Sequence, residues 1–224
     1  MSALRTWLCA VLLLTPWSFR RRVLQRMLGY KIHESACIGL ALVAPDRLVM
    51  EAKTRIGHGT ICKGLSLLYM HESAVIGRGN WITAMPIGDT VHYSHEEARS
   101  PTLVVGSHGA ITNRHIIDCT GGVTVGSFTT IAGFRSQVLT HSIDLGEGRQ
   151  RSAPVSIGDY AFVGTNSVLL PGSAVPDYSV LGAKSLLERA FVDEYCLYAG
   201  VPARRVKGLP RDSAYFTRTT GFIE

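Results

Sequence analysis

A six-residue repeat runs through residues 157–186 and limits the fold more than any other feature of the chain. A branched apolar residue opens each unit, and a small residue follows four positions later: Ile157, Val163, Leu169, Val175 and Leu181, with Ala161, Ser167, Ser173, Ser179 and Ser185. This period fits neither the alternation of a half-buried strand nor the 3.6-residue turn of a helix. It predicts a parallel β-helix, in which each unit forms one side of a coil and the small residue lies at a corner.

The same period occurs less regularly from residue 32 onward. It is carried by Ile32, Ile38, Ile56, Cys62, Leu68, Ile76, Ile82, Val105, Ile111, Ile117 and Val123, then moves by two positions to Val125 and continues through Ile131 and Gln137. Residues 83–102 and 142–154 keep no period and are polar, so both are predicted to be exposed loops at corners. After Leu187 the pattern ends, and we expect a closing turn or helix that caps the open end.

Length and composition favour one large domain. Continuous repeats in a chain of 224 residues with 46% apolar residues predict a β-helix domain at residues 32–208 and exclude wholesale disorder. Residues 1–31 then form a separate N-terminal segment, and residues 209–224 form a tail. The net charge of +6 is local, because residues 1–31 contain six basic side chains and no acidic one. This distribution argues against a nucleic-acid-binding domain and favours an anionic partner for the N-terminus, such as a lipid surface.

Cysteine and histidine usage indicates a reduced protein without a metal. The five cysteines are scattered and form no CxxC pair, which argues against disulfides or a structural zinc site and favours the cytoplasm. His92 and His95 are close in sequence, but the histidines show no spacing typical of a zinc site.

The N-terminal segment is predicted to be a broken helix. Pro16 interrupts its apolar run, which is too short for the roughly 20 residues that span a bilayer, and no signal-cleavage site follows it. Trp7 and Trp17 flank the break, and arginines follow. Two interpretations stay open: peripheral contact with the inner membrane, or packing on the protein's own first coil or on a neighbouring subunit.

Three strings in the second half of the chain carry a family resemblance. They are THSID at residues 140–144, PVSIGDYAFVGTNSVLLPGSAV at 154–175 and AGVPARRVKG at 199–208. Together they resemble the hexapeptide-repeat acyltransferases, in particular the branch of maltose, galactoside, nodulation-factor and colanic-acid-type acetyltransferases. The resemblance covers about residues 103–208. It implies an all-β, left-handed parallel β-helix, a homotrimer, acetyl-CoA bound in the groove between adjacent subunits, and O-acetylation of a saccharide in surface-polysaccharide or lipid-linked glycan synthesis.

The resemblance implies that His141 is the catalytic residue. A neutral imidazole can remove the proton from a sugar hydroxyl as the hydroxyl attacks a thioester. The family usually has proline after this histidine, whereas Ser142 follows here. Asn113 and Asp118 are expected to contact the acceptor, His115 either contacts it or is structural, and Asp144 either orients His141 or caps the loop.

Coenzyme A needs a narrow groove for its pantetheine arm and cations for its phosphates. By the same resemblance, Gly164 and Ala183 lie at corners where pantetheine approaches the backbone. Lys184, Arg189 and Arg204 are the phosphate-binding candidates, and Pro202 lies in a turn beside the adenine end.

Two rival functions share most of these motifs. Acetyltransferases of streptogramin or chloramphenicol type differ only in their acceptor, and a catalytically silent β-helix would act as a scaffold. If the chain is an enzyme, transfer is expected to be direct, because no serine or cysteine stands beside a base as a covalent acyl carrier would.

Overall fold

Parallel strands dominate the computed structural model, which describes residues 2–88, 91–96 and 98–221. The strands form three parallel sheets on the three faces of a prism, and each strand pairs with the strand one coil further along the chain. The chain is therefore a left-handed parallel β-helix, and the predicted fold class is confirmed.

Each face is a stack of short strands. The first face contains β1 (Lys31–Ile32), β4 (Arg47–Met50), β7 (Leu67–Met70), β10 (Thr102–Val105), β13 (Val123–Val125), β18 (Val155–Ile157) and β21 (Ala174–Val175). The second contains β2 (Cys37–Ile38), β5 (Arg55–Ile56), β8 (Val75–Ile76), β11 (Ala110–Asn113), β14 (Thr130–Phe134), β19 (Phe162–Val163), β22 (Val180–Leu181), β24 (Cys196–Gly200) and β25 (Ala203–Gly208). The third contains β3 (Leu42–Ala44), β6 (Ile61–Lys63), β9 (Trp81–Thr83), β12 (Ile116–Asp118), β15 (Gln137–Val138), β20 (Val168–Leu169) and β23 (Leu186–Leu187). We call the corner from the first to the second face the first edge, that from the second to the third face the second edge, and that from the third to the first face the third edge.

The core is a column of branched side chains along the prism axis. The five branched residues of the strict repeat are each no more than 2% exposed. The corner residues of this repeat are also buried. Their small size lets the chain turn, and Ser167 also forms hydrogen bonds: its hydroxyl donates to the carbonyl oxygens of Gly164 and Gly182 at 3.0 and 3.1 Å. Ser167 thus satisfies backbone carbonyls where the chain turns.

The predicted two-residue shift to Val125 is confirmed, because Val105 pairs with Val125 and not with Val123, where three six-residue units would end. Both Val123 and Val125 are buried in β13. One detail of the predicted register is wrong. Val138, and not Gln137, is the next inward residue after Ile131. The reason is an irregularity in β14, where the register with β11 shifts near Gly133, whose φ is +72°.

Two helices cover the N-terminal end of the prism. Helix α1 (Ser2–Val11) continues into a 3-10 turn at Leu12–Leu14, and α2 (Trp17–Leu28) begins after Pro16. Arg20 is buried and donates to the carbonyl oxygens of Ile38 and Gly39, where the first coil turns from the second to the third face. The segment therefore packs on the protein's own first coil. In the part of the chain that the structure describes, no helix is long and apolar enough to cross a bilayer.

The C-terminal end closes with a β-hairpin, and not with the expected turn or helix. β24 extends the second face, and antiparallel β25 follows it through a turn at residues 200–203. The tail then folds back along the first edge as α3 (Ala214–Thr217), where the Tyr215 hydroxyl donates to the carbonyl oxygen of Ala161 at 2.9 Å. Residues 222–224 of the predicted tail lie outside the described residues.

The two predicted loops differ in structure. Residues 83–102 leave the third edge after β9 and return at β10, and their described part contains no strand between those two; residues 89, 90 and 97 lie outside it. The loop prediction for residues 142–154 is wrong, because β16 (His141–Asp144) and β17 (Arg149–Ser152) pair there as an antiparallel hairpin.

Candidate active site

His141 and Asp118 form a close pair on the third edge. Asp118 ends β12, and His141 begins the hairpin that leaves the prism one coil later. The imidazole Nδ1 lies 2.7 Å from Oδ2 of Asp118. Thus the stacking of coils, and not local sequence, brings the two side chains together.

The carboxylate of Asp118 is buried and has several donors. Oδ1 accepts from the backbone N–H and the hydroxyl of Thr120 at 3.2 and 2.6 Å, and Oδ2 accepts from the same groups of Thr140 at 2.8 and 2.7 Å. Burial alone would raise the pKa of Asp118, but the hydrogen bonds from His141, Thr120 and Thr140 outweigh it and lower the pKa to about 2. Asp118 is therefore ionised near neutral pH and acts only as an acceptor.

An ionised partner fixes the tautomer of His141. Nδ1 must carry the proton that it donates to Asp118, so Nε2 is the free base of the neutral ring. The hydrogen bond to Asp118 raises the pKa of His141, against the opposite effect of burial. Because 40% of the imidazole is exposed, Nε2 is accessible to a bound molecule. The pair has the geometry of an oriented general base.

A cleft of about 840 Å³ lies between the loop of residues 83–102 and the end of the hairpin, on the same edge as this pair. Its lining includes Glu96, Arg99, Thr124 and Ser152. Ser152 pairs with His141 across the hairpin, so one wall of the cleft continues directly to the histidine. The cleft is open, and its lining combines polar side chains that can hydrogen-bond an acceptor with apolar residues such as Val123 and Pro154.

Polar contacts hold the loop in place over the hairpin. Glu96 accepts from the backbone N–H and the hydroxyl of Ser152 at 2.9 and 2.5 Å. The guanidinium of Arg99 donates to the carbonyl oxygens of Met85 and Pro86 at 2.5 and 2.7 Å and lies over the ring of Tyr93. These contacts define the shape of the cleft.

The other predicted acceptor residues do not all lie near His141. Asn113 and His115 are on the second edge, at the opposite end of β12 from Asp118, and Asn113 accepts from the backbone N–H of Arg78 at 2.8 Å. Asp144 caps the hairpin turn: its Oδ1 accepts from the N–H groups of Gly146 and Glu147 at 2.9 and 3.0 Å. Asp118 is directed at His141 and does not face the cleft as an acceptor ligand would.

His115 is a buried neutral side chain with both ring nitrogens used. It is 1% exposed, its Nδ1 accepts from the N–H of Ser136 at 3.1 Å, and its Nε2 lies 3.0 Å from the Thr112 hydroxyl. Burial lowers its pKa to about 4. Of the two interpretations given above, these contacts fit the structural one.

The predicted cofactor residues divide into two groups. Gly164, Ala183 and Lys184 lie on the second edge, and Pro202 is in the hairpin turn next to that edge, with a cis bond to Val201. A Cβ on Gly164 would lie 2.5 Å from the backbone N of Ala183, so stacking of the corners is one reason for this glycine.

The second group is Arg189, which lies further along the third edge from His141, and Arg204, which belongs to β25 of the second face. Both pair with Glu188, after β23, at 3.1 and 3.3 Å. The N–H of Leu139 bonds to the Leu169 carbonyl and that of Leu170 to the Leu187 carbonyl, so two coil steps, about 10 Å, separate the histidine from Arg189. The distance allows one extended ligand to contact both.

Several residues of this site were not predicted from the sequence. Thr120, Thr140, Glu96 and Ser152 were not singled out, and Asp118 was assigned to the acceptor. The strand register could have indicated the role of Asp118. Because Ile117 stacks on Val138, Asp118 lies beside the two residues that precede His141. Nothing local marks Glu96 or Ser152, because they meet across 56 positions.

No family model matches the chain. Among solved structures, a hexapeptide-repeat acetyltransferase of Vibrio cholerae O1 biovar eltor, complexed with acetyl coenzyme A, is 18% identical over 93% of this chain and 88% of that one, with a TM-score of 0.53. A serine-to-cysteine mutant of AntD, an N-acyltransferase from Bacillus cereus in complex with dTDP-4-amino-4,6-dideoxyglucose and coenzyme A, is 14% identical over 85% of this chain and 89% of that one, with a TM-score of 0.51. The chain thus has the fold of the hexapeptide-repeat acyltransferases, the family that its motifs resemble.

Proposed function

We propose that the protein is an acetyl-CoA-dependent O-acetyltransferase that modifies a hydroxyl of a saccharide. One observation carries the proposal: a histidine oriented by a buried carboxylate pairs across the hairpin with Ser152, which lines an open cleft. This arrangement supplies an oriented base next to a space where a hydroxyl can bind. The acetyl-CoA and coenzyme A complexes of the two solved structures described above support the choice of donor.

The reaction follows from the free nitrogen of His141. Acetyl-CoA would supply the activated acetyl group. Nε2 takes the proton from the acceptor hydroxyl as its oxygen attacks the thioester carbonyl, and the imidazolium is stabilised by Asp118. When the C–S bond breaks, the same nitrogen returns the proton to the departing thiolate. No covalent acyl-enzyme is required.

The two groups of cofactor candidates favour a homotrimer. Within one subunit, Ala183 and Lys184 lie on the second edge, and His141 and Arg189 lie on the third edge. One ligand could contact both groups if the second edge of one subunit lay against the third edge of its neighbour. We therefore propose that the donor binds between subunits, as the resemblance implies.

The acceptor is proposed to be a surface-polysaccharide unit or a lipid-linked glycan. The polar side chains in the cleft can hydrogen-bond the hydroxyl groups of a saccharide, and the AntD complex contains a sugar nucleotide. The resemblance to polysaccharide acetyltransferases, given by the motifs around His141 and residues 199–208, supports the same class.

The decisive experiment combines an assay with the native product. Purified protein is tested for release of coenzyme A from acetyl-CoA with saccharide and drug acceptors, and the native polysaccharide is analysed by mass spectrometry with and without the protein. We expect acetyl groups that depend on the protein, and loss of turnover in a folded His141→Ala variant. Near-normal turnover in that variant would contradict the mechanism, and absence of coenzyme A binding would favour a scaffold.

A further inference from the structure

The outward side of helix α1 is entirely apolar. Between residues 3 and 11 the exposed side chains are Ala3, Leu4, Trp7, Ala10 and Val11, whereas Arg5 is turned inward to pair with Asp46. A helix on a water-exposed surface normally has its polar residues outside. Helix α1 is apolar on its inward and on its outward side, and packing on the first coil explains only the inward apolar residues.

The exposed residues form one continuous patch at the end of the prism. We call Leu4, Trp7, Val11, Leu14 and Met27 the N-terminal patch; their exposed fractions range from 54% to 91%. The first four follow helical spacing along one side of α1 and its 3-10 turn, and Met27 of α2 lines the same surface groove as Leu4 and Trp7. Contiguous exposed apolar surface of this kind marks an interaction site.

The exposed cations of the same segment indicate the sign of the partner's charge. Of the six basic side chains in residues 1–31, Arg5, Arg20 and Arg21 bind the protein's own carboxylate or carbonyl groups. Arg22, Arg26 and Lys31 are exposed, and no carboxylate of the described residues pairs with them. The spacing of Arg22 and Arg26 on α2 places both on its outward side.

We propose that the N-terminal patch binds the surface of an anionic lipid bilayer, with Trp7 and the leucines among the acyl chains and Arg22 and Arg26 at the headgroups. The positive charge of the segment favours an anionic lipid surface over a second copy of the chain as the partner. Self-association through the patch would bring the arginines of two copies together without acidic residues of this segment between them, which is unfavourable. Lipid binding by the patch does not depend on acetyl transfer, because the patch and the closing hairpin are at opposite ends of the prism.

Sedimentation of the full-length protein with vesicles tests the proposal. We expect binding to vesicles that contain phosphatidylglycerol, weaker binding to phosphatidylcholine alone, and a decrease at high salt. Trp7→Glu with Leu14→Glu should lower the partition coefficient on the order of 10-fold or more, and Arg22→Gln with Arg26→Gln should lower it on the order of 10-fold for anionic vesicles only. Val192→Glu, at an equally exposed position outside the patch, is the matched control.

Three results would overturn the proposal: equal binding to neutral and anionic vesicles, unchanged binding of the Trp7 and Leu14 variant, or a change in its oligomeric mass with no lipid binding by any form. The last result would assign the patch to a second copy. Circular dichroism verifies that each variant is folded. Acetylation of a soluble saccharide should be the same in all of them, so failure of this inference is separable from failure of the proposed function.

Discussion

Asp118 and His141 are 23 positions apart in the chain, yet Oδ2 of the first lies 2.7 Å from Nδ1 of the second. Thr120 and Thr140 hold the same carboxylate from two coils, so it cannot rotate away from the imidazole without losing several hydrogen bonds. The pair therefore gives His141 a fixed tautomer and a raised pKa. Asp118 acts as a positioning residue.

Replacing Asp118 with asparagine should separate its effect on chemistry from its effect on folding. The change removes the charge that raises the pKa of His141, so the acidic limb of the pH–kcat/KM profile should move to lower pH, while kcat falls on the order of 10²-fold. Asp144→Asn is the control, because Asp144 is near His141 in sequence but bonds to the hairpin turn. A profile that does not move would mean that the carboxylate does not orient the base.

The repeat alone was sufficient to predict the β-helix, because each unit buries one branched residue whatever its neighbours are. Ile157 and Leu181 needed no further information. The register around the site was not predictable in the same way, since Gly133 adds a residue at a corner and moves the inward position from Gln137 to Val138. A displacement of one residue is enough to hide the neighbour of Asp118.

Contacts between the two insertions could not be predicted from the sequence either. Glu96 meets Ser152 because two segments leave the same edge of the prism, and neither segment has a period that fixes its path. The hairpin at residues 141–152 was mistaken for a loop, because RQRS in β17 is polar throughout and lacks the alternation of a half-buried strand.

His115 should make the protein less stable in mild acid. Its folded-state pKa of about 4 lies below the ordinary 6.5, so between these values the unfolded chain binds a proton that the folded chain does not. The free energy of unfolding should therefore fall by roughly 1–3 kcal/mol as the pH falls from about 6.5 to about 4. The depressed pKa of Asp118 acts only below this window, and the raised pKa of His141 acts above it.

Urea titrations at several pH values, on the wild type and on His115→Gln, measure this effect. The variant should be less stable near pH 7, because the Thr112 and Ser136 contacts change, but its stability should vary less across the window. The same slope in both proteins would show that the imidazole is already charged in the folded state.

Gly164→Ala should destabilise the β-helix even without a cofactor. The added Cβ would lie 2.5 Å from the N and 2.8 Å from the Cα of Ala183, and backbone on the next coil cannot move aside easily. Overpacking of this kind costs about 1–3 kcal/mol. Gly146→Ala is the matched control, since its nearest neighbour is the Asp144 side chain at 3.3 Å. Equal thermal stability of both variants would indicate that the coils can separate at this corner.

Glu96→Ala should loosen the loop over the cleft and act on the acceptor alone. It removes both hydrogen bonds to Ser152, so the loop no longer fixes the wall next to His141. We expect the KM for the saccharide to rise on the order of 10-fold with little change in the KM for acetyl-CoA. Glu147→Ala, in the hairpin turn, should leave both unchanged. A rise in the acetyl-CoA KM instead would place the donor in the cleft.

Arg189 and Arg204 provide the test of where the donor's phosphates bind. Both guanidinium groups now pair with Glu188 on an exposed surface, where an ion pair contributes little, so an incoming phosphate can replace the carboxylate at small cost. Arg189→Ala with Arg204→Ala should raise the KM for acetyl-CoA on the order of 10-fold or more, because charge-assisted hydrogen bonds to phosphate are lost. Acetyl-pantetheine has no nucleotide phosphates, and its KM should be unchanged by the double substitution.

Lys53→Ala, which removes an exposed cation near the other end of the prism, is the control for net charge. If both donors are affected equally, the arginines support the closing hairpin and do not bind phosphate; if neither is affected, the phosphates bind elsewhere.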